Sequence, residues 1–165
     1  TGTERGIAYH RFLELCDFSV KDKQGIAQEK ESFLKAGLIS DEQYNLLDVD
    51  TLTQILNIPV FSKLHGATLY REKEFLCRLP ANEILDTTAS DYVLLQGAID
   101  LLAKTDEGYK IIDYKYSHKS AEQLIETYSK QLALYKKAVA LITKTDAGKI
   151  ETIIVNIFRK EQINL

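Results

Sequence analysis

Asp113 and Lys115 stand two residues apart in YKIIDYKYS (109–117), and Asp100 lies in LLQGAIDLLAK (94–104); both stretches otherwise have the composition of buried strands. Residues two apart on a strand face the same side, so Asp113 and Lys115 project together while Ile112, Tyr114 and Tyr116 project the other way. Whether Asp100 joins them depends on the hairpin register around Asp106-Glu107-Gly108. A two-residue loop, or a four-residue loop from Thr105 to Gly108, pairs residues whose numbers sum to 213 and sets Asp100 opposite Asp113. A three-residue loop with Gly108 left-handed shifts the sum to 214 and puts Tyr114 there instead. Both registers are compatible with the sequence.

In the first register two carboxylates stand about 5 Å apart in a half-buried place, where one must take up a proton unless a cation lies between them. Mg²⁺ takes one or two carboxylates, keeps several waters and leaves room for phosphate oxygens. A lysine beside such an ion orients or helps deprotonate the attacking water and offsets charge in a phosphorane-like transition state. Metal-assisted phosphodiester hydrolysis is the chemistry these three residues could support together. The plainer reading is an exposed Asp113–Lys115 ion pair, with Asp100 near the turn by coincidence.

These residues need elements to hold them. Glu4 to Cys16 has helical spacing, with Ile7, Phe12 and Leu15 as a candidate apolar stripe and His10 within it. A second helix is expected over Lys21–Ala36, ended by Gly37. Ser40 and Gln43 form a capping-box pattern for a third over Asp41–Leu47, and a fourth is expected over Thr51–Asn57 before Pro59. After His65-Gly66 the texture becomes β-rich: TLYREKEFLCRLP, DYVLLQGAIDLLAK and YKIIDYKYS read as a three-strand meander. A long helix over Ser120–Thr143 and a closing strand in IETIIVNIFRK complete the chain. The order implies an α/β fold: a central mixed sheet flanked by helices, with a helical N-terminal region over 1–60 and a β-β-β-α-β core over 67–165.

The composition, 45% hydrophobic over 165 residues, suits one domain with a real core. Cys16 and Cys77 form no paired motif, and no apolar run approaches the roughly 20 residues of a membrane span. A reduced, soluble, cytoplasmic protein with no membrane partner is the expectation. The chain has no methionine and begins Thr1-Gly2, which points to a piece of something longer. A net charge of −3 argues against binding nucleic acid by bulk electrostatics, but charge is uneven. Residues 104–149 hold nine lysines against six acids, and residues 14–50 hold four lysines against nine acids. One flank could face phosphate, although lysine-rich faces are commonly only solvated.

The segments RGIAYHRFLE, YREKEF, LLQGAIDLL, IIDYK and YSKQLALYKKAV, in that order, resemble the nuclease domain of the RecB/AddA family, PD-(D/E)XK nucleases fused to the C-terminal end of DNA helicases in bacterial break repair, with the wording closest to AddA. The resemblance implies a restriction-endonuclease-like core and a single nuclease domain over 1–165. It also implies roles. His10 is the histidine ligand, Asp100 and Asp113 are the acidic ligands, the Tyr114 carbonyl completes the metal shell, and Lys115 is the catalytic lysine. Gln131 and Tyr135 fit the QxxxY motif that contacts DNA, while Glu72 fits a recurrent glutamate of less defined role. Mg²⁺ is the implied cofactor, with Mn²⁺ able to substitute. The implied partners are single-stranded DNA ends from unwound duplex, an upstream helicase domain, and a second helicase-nuclease subunit of the AddB type.

The pattern has departures. Tyr116 follows Lys115 where Thr is common, and Glu74 stands where Pro is common. No GxxxxGK[ST] loop occurs, so this piece is not itself an ATP-driven motor, and the four-cysteine cluster of AddB-type relatives is missing. Tyr128, Gln131 and Tyr135 share a helix face, where an aromatic stripe is as readily core as contact. His65 and His118 read as surface or loop residues, with His118 close in sequence to Lys115. Two other readings compete with an active nuclease: a non-catalytic, nuclease-like scaffold that holds DNA or another protein, and a standalone phosphodiesterase from another branch.

Overall fold

The structure, a computed structural model, describes residues 1–84, 87–88 and 91–165. Helices α1 (Gly2–Leu15), α2 (Lys23–Lys35), α3 (Asp41–Leu46), α4 (Val49–Leu56) and α5 (Pro59–Ser62) precede strands β1 (Thr68–Pro80), β2 (Tyr92–Thr105) and β3 (Gly108–Lys115). Helix α6 (Ala121–Thr143) and strands β4 (Ile150–Asn156) and β5 (Glu161–Asn164) follow. The strands form a five-stranded sheet in the order β1-β2-β3-β4-β5. This is the expected α/β architecture with one strand more. The closing segment divides into β4, a turn over 157–160 and β5, with Lys160 in a left-handed backbone (φ 53°) at the end of the turn. Among the described residues no helix is long and apolar enough to cross a membrane.

The chain divides into two compact units. The second comprises Thr68–Asp113, Ser120–Ile153 and Asn164–Leu165, and it carries the meander and α6. β1 and β2 pair antiparallel from Thr68↔Lys104 to Pro80↔Tyr92, and β2 pairs β3 from Thr105↔Gly108 to Leu101↔Ile112. The latter pairs sum to 213, which resolves the register in favour of the first alternative. Asp106 and Glu107 make a two-residue turn. Glycine is required after it: a Cβ on Gly108 would stand 2.0 Å from the Lys149 carbonyl oxygen. That approach also sets the starts of β3 and β4 side by side, the arrangement of parallel neighbours joined by a helical crossover.

β3 is buried along most of its length, with Ile111, Ile112 and Asp113 all under 9% exposed, as expected of a central strand covered on both faces. Ser120 and Gln123 close a capping box at the start of α6, whose Leu124, Leu132, Ala138 and Val139 are buried. Cys77, Leu79 and Ala138 pack with Phe75, Ile84 and Leu95 into one apolar cluster, and both cysteines of the chain are buried.

The first unit comprises Thr1–Ala67, Tyr114–Lys119 and Ile154–Ile163. The capping box at Ser40 and Gln43 forms as the sequence indicated, whereas α4 starts two residues early because Asp48, not a later residue, caps it through the Thr51 N–H. Pro59 opens the short extra helix α5. α1 buries Ala8, Tyr9, Phe12 and Leu13, not the stripe predicted on Ile7, and Ile7 is 57% exposed. Ile7 and Phe12 are five residues apart, about 140° around a helix of 3.6 residues per turn, so they do not share a face.

Candidate active site

Glu72, Asp100 and Asp113 sit on β1, β2 and β3, the three meander strands of the second unit. The β2–β3 register stops at Leu101↔Ile112, and Asp100 and Asp113 are the next residues on each strand. On the other side of β2, Glu72 lies opposite Asp100, between the pairs Arg71↔Leu101 and Lys73↔Ile99. Asp100 and Glu72 each offer a carboxylate oxygen within 4.8 Å of the other's. Glu72 holds φ 46°, a left-handed backbone in mid-strand. Such conformations cost a non-glycine residue about 1–2 kcal/mol and persist where the surroundings impose them. Asp113 is buried, Asp100 partly buried and Glu72 exposed. Facing carboxylates repel unless a cation neutralises them.

The first unit holds the histidine. α1 presents His10 so that its Nε2 stands 2.8 Å from the main-chain oxygen of Tyr114, with the imidazole edge-on to the Tyr114 ring at 5.6 Å. Tyr114 is buried, its ring 6.3 Å from that of Phe61. Neighbouring ligands of an octahedral ion with bonds of about 2.1 Å stand about 3 Å apart, close to the spacing of the His10 nitrogen and this carbonyl. The imidazole nitrogen and carbonyl oxygen of the first unit, and separately the carboxylates of the second, are donor types that a divalent cation takes. Lys115, partly exposed, follows on the same face of β3 as Asp113, and its carbonyl accepts the Ile157 N–H at 2.7 Å.

On α6, exposed Gln131 donates through Nε2 to the Tyr135 hydroxyl at 3.1 Å. The Tyr135 ring meets Phe75 edge-on at 5.0 Å, above Gly97, where a Cβ would approach the Tyr135 hydroxyl to 2.9 Å and the Phe75 ring to 2.8 Å. Tyr135 is thus held by packing and presents its hydroxyl to Gln131, while Tyr128 is partly buried. His65 and His118 are exposed, as the sequence suggested. Glu72 is the residue the sequence left without a role; only its backbone conformation and its place opposite Asp100 distinguish it, and neither is legible in Arg-Glu-Lys-Glu.

A five-stranded sheet of this order flanked by helices is the architecture of the PD-(D/E)XK restriction-endonuclease-like fold. The model of the PD-(D/E)XK nuclease superfamily matches residues 3–163, and the chain belongs to that superfamily. It is similar to an ATP-dependent helicase/nuclease subunit of Heliobacterium modesticaldum, 33% identical over 156 aligned positions that cover 87% of this chain and 11% of that protein. The corresponding helicase/nuclease chain of Carboxydothermus hydrogenoformans is 32% identical over 149 positions, covering 86% of this chain and 13% of the relative. That of Lachnoclostridium phytofermentans is 28% identical over 192 positions, covering 90% and 14%. The chain spans only 11–14% of the length of these relatives.

Proposed function

We propose that this chain is a metal-dependent deoxyribonuclease that hydrolyses phosphodiester bonds as the nuclease domain of an AddA-type helicase-nuclease. The observation that supports the reading is the β2–β3 register, which ends at Leu101↔Ile112 and leaves Asp100 and Asp113 as the next residue on each strand, with Lys115 two residues beyond Asp113. Asp100, Asp113, His10 and the Tyr114 carbonyl would hold the ion, Mg²⁺ or Mn²⁺, and Glu72 adds a carboxylate beside Asp100. When bound, the ion supplies Lewis-acid polarisation and neutralises charge on the scissile phosphate.

Lys115 orients the attacking water through its ammonium group and offsets the charge that builds on the phosphate oxygens. Gln131 and Tyr135 act as one hydrogen-bonded unit that positions the DNA backbone. Positioning through phosphate carries no sequence information, so cutting is not sequence-selective. In the cell the substrate is single-stranded DNA released by an upstream helicase domain, with a partner protein of the AddB type, in cytoplasmic double-strand-break repair and recombination. Both exonuclease and single-strand endonuclease action follow from a site that needs only one strand.

The test is degradation of linear and circular single-stranded DNA by this chain, in Mg²⁺ or in EDTA, beside Lys115→Ala. Metal-dependent cutting of wild type that is lost in the variant is the expected result. A folded chain that neither cuts nor binds Mg²⁺ would overturn the reading.

A further inference from the structure

The first unit carries a second group of residues that the proposed chemistry does not use. The loop after β3 and the turn between β4 and β5 place His118 and Phe158 ring against ring, with centroids 3.8 Å apart and planes inclined by 46°. Both side chains are exposed, Phe158 by 37%. Behind Phe158 lie Tyr116, edge-on at 5.7 Å, and Tyr9, stacked on Tyr116 at 5.7 Å. The outer two rings of this ladder are exposed, Tyr116 behind them is partly buried, and Tyr9 is buried.

The two segments are fastened together. Arg159 donates through Nε to the Lys119 carbonyl and through Nη2 to the His118 carbonyl, each at 2.9 Å. Fully buried Asn156 reaches the Lys119 carbonyl with Nδ2 at 3.5 Å. Lys160 holds a left-handed backbone (φ 53°) at the end of the turn, where glycine would be the unstrained choice.

The charge of the group is one-sided. Lys119, Arg159 and Lys160 are exposed, and no acidic residue occurs over 114–120 or 154–160, in a chain whose net charge is −3. His118 follows Lys115 by three residues, at most about 10 Å of extended chain. Exposed aromatic rings among cations are the elements that hold a single nucleic-acid strand: bases stack on the rings and phosphates meet the cations.

We propose that His118 and Phe158, with Lys119, Arg159 and Lys160, form a stacking site for single-stranded DNA at the outlet of β3. The choice of DNA rests on the nuclease reading above, whereas the site itself rests on these five residues. Stacking on Phe158 fixes a base beside the strand end that carries Lys115, so the site holds the strand against slipping between cuts.

The test is binding of a fluorescein-labelled oligothymidine by this chain in EDTA, read by fluorescence anisotropy. Phe158→Ala should weaken binding about fivefold to a hundredfold. Phe158→Leu, which keeps bulk but loses the ring face, should weaken it similarly, and Phe158→Trp should restore it. Because Phe158 also packs on Tyr116, Lys160→Gln provides a variant outside the ladder, which should lower the slope of log affinity against log salt by about 0.7. Binding by wild type that ignores both Phe158→Leu and Lys160→Gln would overturn the site, as would absence of binding by wild type. A duplex of the same length that shows equal dependence on Phe158 would overturn stacking. Binding that depends on Phe158 in a chain that cuts nothing keeps the site and removes the nuclease reading; cutting with binding indifferent to Phe158 does the reverse.

Discussion

The Nε2 of His10 stands 2.8 Å from the carbonyl oxygen of Tyr114, the residue that follows Asp113 on β3. Without a cation this is a hydrogen bond from α1 to the end of a strand, and with one the two atoms are ready-made neighbouring ligands. His10→Ala should therefore act in two ways. Loss of the hydrogen bond should cost about 1 kcal/mol of stability. Mg²⁺ titration followed by calorimetry should also show weakened binding, and unchanged binding would leave His10 a purely structural residue.

The acids on β2 and β3 should make the fold sensitive to divalent ions. Mg²⁺ at about 100 times its dissociation constant stabilises a native site by about 2.7 kcal/mol, which for a chain of this size raises the melting temperature by roughly 5–10 °C. Asp100→Asn and Asp113→Asn should cancel that rise and abolish cutting. A thermal scan with and without Mg²⁺ decides it; an undiminished rise in Asp113→Asn would place the ion elsewhere.

Glu72 offers a cleaner separation of strain from function. Glycine relieves a left-handed backbone worth about 1–2 kcal/mol and gives back about 0.5–1 kcal/mol in unfolded-state entropy. Glu72→Gly should thus be as stable as wild type or slightly more so, yet cut DNA more slowly. Urea unfolding beside a nuclease assay tests both halves, and a destabilised variant with full activity would make Glu72 a structural residue.

Asp48 gives a pH dependence whose sign follows from its partners. The Thr51 N–H, donating to its carboxylate, holds Asp48 below the usual aspartate range. A depressed carboxylate contributes stability that is fully present above its unfolded pKa, about 3.9, and is lost as pH falls through the folded value. Asp48→Asn keeps the cap but should flatten the loss of stability in that acid window. Asp48→Ala should cost about 1 kcal/mol at pH 7. Urea midpoints across pH 2–7 distinguish the two.

Much of the fold was readable because its punctuation is local. Pro80 closes β1, Asp106 and Glu107 turn the hairpin, and Ser120 with Gln123 starts α6. The register was not readable, because what fixes it is the approach of Gly108 to Lys149, a residue beyond the whole of α6. The buried face of α1 was misread for a similar reason: Tyr9 is drawn inward by Tyr116 of a distant segment, and Ile7 is left outside. β5 is four residues long and largely polar, and the turn before it contains no glycine or proline. Among the candidate site residues, Asp100, Asp113 and Lys115 stood out by type and spacing, whereas His10, Gln131 and Tyr135 acquired meaning only from a family resemblance.

The left-handed residue at Glu72 also bears on how this chain behaves in a crowd. β1 is a border of the sheet, thirteen residues long, and such a border is a template on which a foreign strand can grow. Arg71-Glu72-Lys73-Glu74 sets four charges along it, and the irregular backbone at Glu72 breaks the straight row of amides that an incoming strand would need. The residue that sets a carboxylate beside Asp100 thereby also guards the sheet against aggregation.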